Sequence, residues 1–448
     1  MSEDSRVPPS ASTAPHAAEP RLDRAADETA EPYTIGFRTV GLGTIFITLA
    51  GTLAVGHFIK APCVHGDWGD GRPFTRLCST DIVQLLEPEQ LSGGRLPYLQ
   101  PCLANGSGPC DEYPVLMMWT MRLTAWASGP DDTQFFYWNA ILLWLAAFWI
   151  TLTLYQLVGS RALYFAAAPT LAIYATFNWD LLAVLLAVAG TLGYLRRRDV
   201  WSGAMLGLGA ATKLFPAMLV IPFVAGRFRD PHSDHGIRLA SSAAATWLAV
   251  NLPFAVLAFA SWWEFFRFSG ERPANFDSVW FIACDWASDI GCTDTRLVNV
   301  ASAGLFIIGV VVVWSAKAHW DPGFPRWSLA FPILALFLIT NKVYSPQYSL
   351  WLLPWFALAM PDLRLFLAFE TADVAVFVTE FSWFGTLNGV KGGLSGIVPL
   401  GAFEAAFLVR AAVLLLCVIA WVRRRDSDAL AAGTSFAGVF DARVVGHS

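Results

Sequence analysis

The strongest constraint in this sequence is a set of apolar runs that no water-soluble helix would carry. Residues 140–155 read AILLWLAAFWITLTLY, 306–314 read FIIGVVVVW and 405–422 read AAFLVRAAVLLLCVIAWV. A helix packed on a soluble core breaks its apolar stripe every third or fourth residue, whereas these runs are apolar nearly all round, as helices solvated by lipid are. Composition agrees, since 55% of the 448 residues are hydrophobic and only 15% charged, against about a quarter in soluble domains. The pattern predicts an all-α polytopic membrane protein. Its net charge of −5 says little about partners, because the division of charge between the two membrane faces matters more than the sum. Membrane lipids are expected partners and nucleic acid is not.

Candidate spans cover 39–59, 134–158, 161–177, 180–195, 201–226, 239–260, 300–315, 327–340, 346–360, 364–385 and 399–422. The first 37 residues are rich in Ser, Ala, Pro and acid and cannot bury a core. They are expected to form a disordered cytoplasmic tail, as is 426–448, leaving 38–425 as the membrane domain. Two topologies fit about twelve membrane helices. In one, 113–129 crosses and 201–226 crosses once. In the other, 113–129 lies along the surface and 201–226 is a pair of short helices hinged at ATKLFP. Lys and Arg in short loops stay cytoplasmic, and the second solution keeps Arg161, Arg196, Arg197, Arg198, Arg227, Arg229 and Arg238 inside. It also spares Lys213 a mid-membrane position, so it is preferred. Its short halves, about 13 residues or roughly 20 Å each, must be shielded by neighbouring helices.

This topology places the long segments 60–133 and 261–299 outside. Six of the seven cysteines, Cys63, Cys78, Cys102, Cys110, Cys284 and Cys292, fall in them, which suggests disulfides, since that compartment permits them. Six cysteines allow fifteen connectivities, and Cys284 and Cys292 are the easiest local pair. The absence of C-x-x-C and the scarcity of His argue against a metal site, and no cofactor is expected.

The outer face also gathers unusual polar residues at the ends of apolar runs. FNWDLLAVLLAVAG puts Asp180 at the threshold of a span, TKLFP puts Lys213 at a hinge, and NKVYSPQYSLWLLP contributes Lys342, Tyr344, Gln347 and Tyr348. RLCSTDIVQLL supplies Asp81, DEYPVL supplies Glu112 and Tyr113, and the loop FFRFSGERPANFDSVW supplies Arg267, Arg272 and Asp277. Singly, each has an ordinary explanation: a helix-capping carboxylate, a lysine snorkelling to the interface, a solvated loop acid. Independent ordinary causes would scatter them over both faces, and here they share one. A carboxylate can take the proton of an attacking hydroxyl, and cations can hold a departing phosphate. A lipid-linked sugar phosphate would present its reacting carbon at this depth.

The motifs C-x-x-D (Cys78 to Asp81), G-x-x-P-Y (Gly94 to Tyr98), E-Y-P-V-L (Glu112 to Leu116), N-W-D-L-L-A (Asn178 to Ala183), A-x-T-K-x-x-P (Ala210 to Pro216) and S-P-Q-Y-x-x-W-L-L-P (Ser345 to Pro354), in this order, resemble glycosyltransferase family 87. That family includes polyprenol-phosphate-mannose-dependent mannosyltransferases of actinobacterial envelopes. The resemblance runs from about residue 40 to 425. It implies a GT-C architecture with surface helices in the first outer loop, a polyprenyl-phosphate sugar donor, a glycolipid or glycan acceptor and inversion at the anomeric carbon, in a multi-pass protein of the cell membrane whose active face is expected outside the cytoplasm. It further implies Asp81 as general base and Lys213, Arg272 and Lys342 as candidates for the donor phosphate. Glu112, Tyr113, Asn178, Asp180, Tyr344, Gln347 and Tyr348 are then the expected substrate-site residues. A transporter or flippase of a lipid-linked envelope precursor is the competing expectation, suited by the broken 201–226 segment.

Overall fold

The computed structural model describes residues 40–66, 68–103, 110–229, 234–287 and 294–425. The expected tails lie outside them. Among the described residues every regular element is helical, and the one β pairing is an isolated bridge between Gly392 and Ser395. The longer helices are α1 (Leu42–Val64), α2 (Val115–Ser128), α3 (Asp132–Val158), α4 (Asp180–Leu195), α5 (Asp199–Thr212), α6 (Phe215–Arg227), α7 (Asp234–Leu257), α8 (Phe259–Glu271), α9 (Thr295–Trp320), α10 (Ala330–Thr340), α11 (Leu363–Leu387) and α12 (Leu400–Arg423).

Among the described residues five stretches are long and apolar enough to cross a membrane: Leu42–Val64, Asp132–Ala166, Asp234–Leu257, Thr295–Trp320 and Leu400–Arg423. Between 11% and 33% of each is buried inside the protein, so most of their apolar surface, including Ile47, Phe58, Val300, Ile307 and Ile419, faces outward. Lipid is the solvent that makes such a surface stable.

The hinge at 201–226 is present. α5 ends at Thr212, Lys213 is extended, and α6 begins at Phe215 with Pro216 in its first turn, where its missing N–H removes no intrahelical bond. Helices of 14 and 13 residues reach only about 20 Å, and α5 is shielded by packing on α4, α6 and α7. Gly203 and Gly207, one turn apart, make the α5–α7 contact close: an added methyl would stand 2.3 Å from Leu239 O and 2.4 Å from Ala243 O respectively. Small residues at this spacing let two membrane helices approach to backbone contact.

Other expected spans are subdivided. The stretch 161–177 is a 3₁₀ turn followed by the short helices Leu163–Ala166 and Pro169–Tyr174, and 346–360 is the 3₁₀ helix Pro346–Trp351 followed by Leu353–Leu358. Proline starts two of these pieces, at Pro169 and Pro346, and Pro354 stands in the first turn of a third; proline cannot continue a preceding helix. Such irregular backbone is tolerated because it is enclosed by protein, with every residue of Leu353–Leu358 buried.

The segment 113–129 forms the amphipathic α2, which buries Val115, Met117, Met118, Met121 and Ala125 and exposes Leu123 and Trp126. α8 buries none of its residues and delivers the chain to Arg272. Two disulfides staple the segment after α1, Cys63–Cys78 and Cys102–Cys110. Cys284 is also disulfide-bonded, while Cys292 lies outside the described residues.

Candidate active site

Asp81 is positioned by a short piece of backbone pairing. Thr80 caps the helix Asp81–Gln84 by accepting from Ile82 N, and its hydroxyl donates to Thr176 O at 2.8 Å. Asp81 N donates to Phe177 O at 2.8 Å. These bonds tie the C-x-x-D motif to the residues just before N-W-D, bringing Asn178 against the Asp81 carboxylate.

Asn178 is the centre of the constellation. Its Nδ2 donates to Asp81 Oδ2 at 3.0 Å and to Tyr113 Oη at 2.9 Å, and its Oδ1 accepts from Lys213 Nζ at 3.3 Å. Gln347 Nε2 also reaches Asp81 Oδ2, at 3.4 Å. Two amides thus hold one oxygen of a half-buried carboxylate. Asp81 Oδ1 receives no hydrogen bond among the described residues.

Asp180 occupies the first turn of α4 and is fully buried. It is no cap: its carboxylate accepts from Lys213 Nζ and from Trp351 Nε1, each at 2.7 Å. The threshold acid and the hinge lysine are therefore partners, which is how both tolerate burial. Lys213 Nζ also lies 5.7 Å from the ring centre of Tyr113 and 5.1 Å from that of Tyr348, within cation–π range. Tyr348 stacks on Trp351, and Trp351 on Phe215, so the 3₁₀ helix Pro346–Trp351 that carries Tyr348 is anchored on α6.

Burial raises the Asp81 pKa above its ordinary 3.8; the Asn178 hydrogen bond and the Lys213 and Arg272 charges pull it down, and the Asp180 charge pushes it up. Glu112 is likewise raised, chiefly by burial and also by the Glu264 charge, with Arg272 opposing. Arg272 thus acts on both carboxylates. Its half-buried guanidinium has no ion-pair partner among the described residues.

The G-x-x-P-Y motif supports this site from behind. Arg95 is buried and forks onto Asp111, with Nη1 and Nη2 at 3.1 and 2.9 Å from its two oxygens. Asp111 N and Glu112 N both donate to the Glu89 carboxylate, whose pKa burial pushes up to about 7. Tyr98 Oη donates to Tyr113 O at 2.5 Å. The fork fixes the backbone from which Glu112 and Tyr113 project.

Of the expected residues, Asp81, Tyr113, Asn178, Asp180, Lys213, Gln347 and Tyr348 converge directly, and Glu112 and Arg272 border them. Lys342 stands beneath the loop: its Nζ donates to Gly270 O at 3.0 Å and Arg272 O at 2.6 Å, holding the turn that presents Arg272. Tyr344 belongs to a second, buried network. Its hydroxyl shares a hydrogen bond with Ser349 Oγ at 2.9 Å, Ser349 donates to Asp373 at 2.6 Å, and Arg410 pairs with both Asp373 and Asp277.

The sequence reading passed over Arg410, Asp373 and Lys60. The last is buried in α1, 5.1 Å from the centre of the Phe177 ring and donating to Ser79 O. All three are ionisable groups inside apolar helices, a functional signal in itself. Among the described residues no group of three or more His, Cys, Asp or Glu is arranged to hold a metal ion.

The model of glycosyltransferase family 87 matches residues 112–346, just over half of the sequence and the stretch holding all the converging residues but Asp81, Gln347 and Tyr348. The chain belongs to glycosyltransferase family 87. Among solved structures, ArnT from Cupriavidus metallidurans in the apo state is similar with a TM-score of 0.42 and 16% identity, covering 85% of this chain and 76% of that one. No curated protein matches. Family membership makes the protein a membrane glycosyltransferase, and the all-helical architecture agrees with the GT-C class expected of family 87.

Proposed function

We propose that the protein transfers a sugar, mannose first among hexoses and pentoses, from a polyprenyl-phosphate donor to a glycolipid or glycan acceptor, with Asp81 as general base. The observation that carries this reading is the Oδ1 left without a hydrogen bond, among the described residues, on a carboxylate whose other oxygen is held by Asn178 and Gln347. The acceptor hydroxyl gives its proton to Oδ1 as its oxygen attacks the anomeric carbon. The bond from that carbon to the phosphate oxygen breaks, with inversion, and the electron pair leaves on polyprenyl phosphate. Arg272 is the cation for the leaving phosphate, because its guanidinium is not neutralised by a neighbour. Lys213, already bonded to Asp180, contributes charge at short range, and Lys342 sets the turn beneath Arg272.

We place this face outside the cytoplasm. Arg196, Arg197, Arg198 and Arg227 lie at the opposite ends of α4, α5 and α6 from Asp180 and Lys213, and the positive-inside rule assigns those ends to the cytoplasm. Flipping of a lipid-linked precursor is the second reading, favoured by the α5–α6 break with a lysine at its tip. Purified protein given a radiolabelled polyprenyl-phosphate sugar and a glycolipid acceptor separates the two. Covalent transfer that Asp81→Asn abolishes supports the enzyme. Turnover untouched by that substitution removes Asp81 from the chemistry, and lipid movement without transfer favours the flippase.

A further inference from the structure

α12 carries a cation where its apolar neighbours would place none. Arg410 is fully buried, and a guanidinium inside a membrane helix is costly unless it is paired. Its fork is divided between two distant segments. Nη1 donates to Asp373 Oδ1 on α11 at 3.1 Å, and Nη2 donates to Asp277 Oδ1 in the loop that follows α8. The guanidinium carbon lies 3.8 Å from the centre of the Tyr344 ring, within cation–π range. Arg410 and Asp373 both stand beyond residue 346, where the family match ends.

Each branch of the fork leads to the candidate site. Asp277 follows Arg272 by five residues, and between them Asn275 N donates to Lys342 O at 2.8 Å. Directly after Asp277, Ser278 caps the helix Val279–Trp286 by accepting from Phe281 N. Asp277 is therefore the point at which the loop bearing Arg272 is made fast to the bundle. The other branch runs through Asp373, whose Oδ1 also accepts from Ser349 Oγ at 2.6 Å. Ser349 belongs to the 3₁₀ helix Pro346–Trp351, two residues past Gln347, whose amide reaches Asp81 Oδ2. One guanidinium thus ties the Arg272 loop and the Gln347 helix to the same place on α12.

We propose that Arg410 is a positioning residue for the transfer reaction, setting the cation for the donor phosphate at a fixed separation from the amide that holds Asp81. The inference rests on the roles of Asp81 and Arg272 proposed above. Apolar side chains of similar volume would stabilise the bundle about as well as a buried ion pair. What the planar fork adds is direction, because its donors meet two carboxylates at set angles. Arg410 touches no reacting group. It acts through Asp277 on Arg272, and through Asp373 and Ser349 on Gln347. The first branch serves donor binding and the second the chemical step, so cutting them has separable kinetic effects.

Arg410→Met strands two buried carboxylates and is expected to fold poorly, so the test cuts one branch at a time in the intact protein purified in detergent. Asp277→Ala leaves Arg410 paired with Asp373, and Ser349→Ala leaves the fork whole. With polyprenyl-phosphate mannose as donor, Asp277→Ala should raise KM about fivefold with kcat near wild type, and Ser349→Ala should lower kcat about fivefold with KM near wild type, each the size of one pairwise coupling. Asp277→Asn keeps an acceptor for Nη2 and should restore the wild-type KM. In an Arg272→Gln background, Asp277→Ala should raise KM no further, because both changes act on one contact.

Leu414→Ala removes a buried side chain one turn further along α12. It should lower the unfolding temperature and move neither kinetic constant. A KM rise in Leu414→Ala matching that in Asp277→Ala overturns the inference, as does full additivity of Asp277→Ala with Arg272→Gln. Retention of polyprenyl phosphate in native mass spectrometry repeats the comparison without turnover, and weaker retention by Asp277→Ala than by wild type supports the inference. A wild type that retains the lipid but does not transfer removes the reading of Asp81 alone. Equal retention by wild type and Asp277→Ala removes the role of Arg410, and a wild type that neither retains nor transfers removes both.

Discussion

Asn178 donates to Asp81 Oδ2 at 3.0 Å while accepting from Lys213 through its own carbonyl oxygen. One amide therefore links the carboxylate to the buried cation. As the proposed general base, Asp81 would have to be ionised to act, so Asp81→Asn should lower kcat by about 10²- to 10⁴-fold and leave the unfolding temperature close to wild type. Single-turnover transfer with purified protein measures the first and thermal unfolding the second.

The same amide sets the pH response. Burial holds the Asp81 pKa above 3.8 and the Asn178 hydrogen bond partly offsets it. A base with a raised pKa loses activity as pH falls through that value. Removing a stabiliser of the ionised form moves the loss to higher pH. Asn178→Ala should shift the acid limb of the kcat profile upward, as measured by transfer rates across pH, and an unchanged limb would show that the link is not felt.

Lys213 and Asp180 form a buried pair at 2.7 Å. Deleting one partner strands the other charge, so Lys213→Met is expected to destabilise the protein by about 3–5 kcal/mol. Combining it with Asp180→Leu should recover much of that loss in folding and none of it in transfer. Denaturation of the single and double variants in matched detergent reads the difference.

Arg272 has no ion-pair partner among the described residues, so its removal strands no charge in the protein. Arg272→Gln should leave stability within about 0.5 kcal/mol and raise KM for the polyprenyl-phosphate donor about tenfold or more, the value of a charge-assisted contact. Donor titration against initial rate checks this, and an unchanged KM would take Arg272 away from the phosphate.

Gly207 touches Ala243 so closely that even a methyl would stand 2.4 Å from its carbonyl oxygen. Gly207→Leu should force α5 from α7 and cost about 1–3 kcal/mol or more. Lys213 closes α5, so transfer should fall with it. Comparing activity with the unfolding temperature across Gly207→Ala and Gly207→Leu tests whether the two decline together.

The parts of this design that are local in sequence were legible before any coordinates. The hinge announced itself because Lys213 and Pro216 cannot sit comfortably inside a continuous apolar helix, and the acid of N-W-D stood out against its surroundings. The destination of each side chain was not legible. Asp180 reads as a helix cap until Lys213, 33 residues away, and Trp351, 171 away, arrive to claim it. Lys342 reads as a phosphate ligand, whereas its ammonium is bonded to carbonyls of a loop about 70 residues earlier. Arg410, in a run read by its average hydropathy, pairs with Asp277 133 residues upstream. Hydropathy reports which residues avoid water and is silent about which distant partner makes a buried charge tolerable.

The amide donors to Asp81 come from positions 178 and 347, the second separated from it by 266 residues. A nascent chain that has delivered the carboxylate still lacks its last tether until most of the protein has left the ribosome. Premature termination anywhere before that point yields an inserted polypeptide with the Asp81 carboxylate present and its geometry unfinished, so this arrangement is completed late in synthesis.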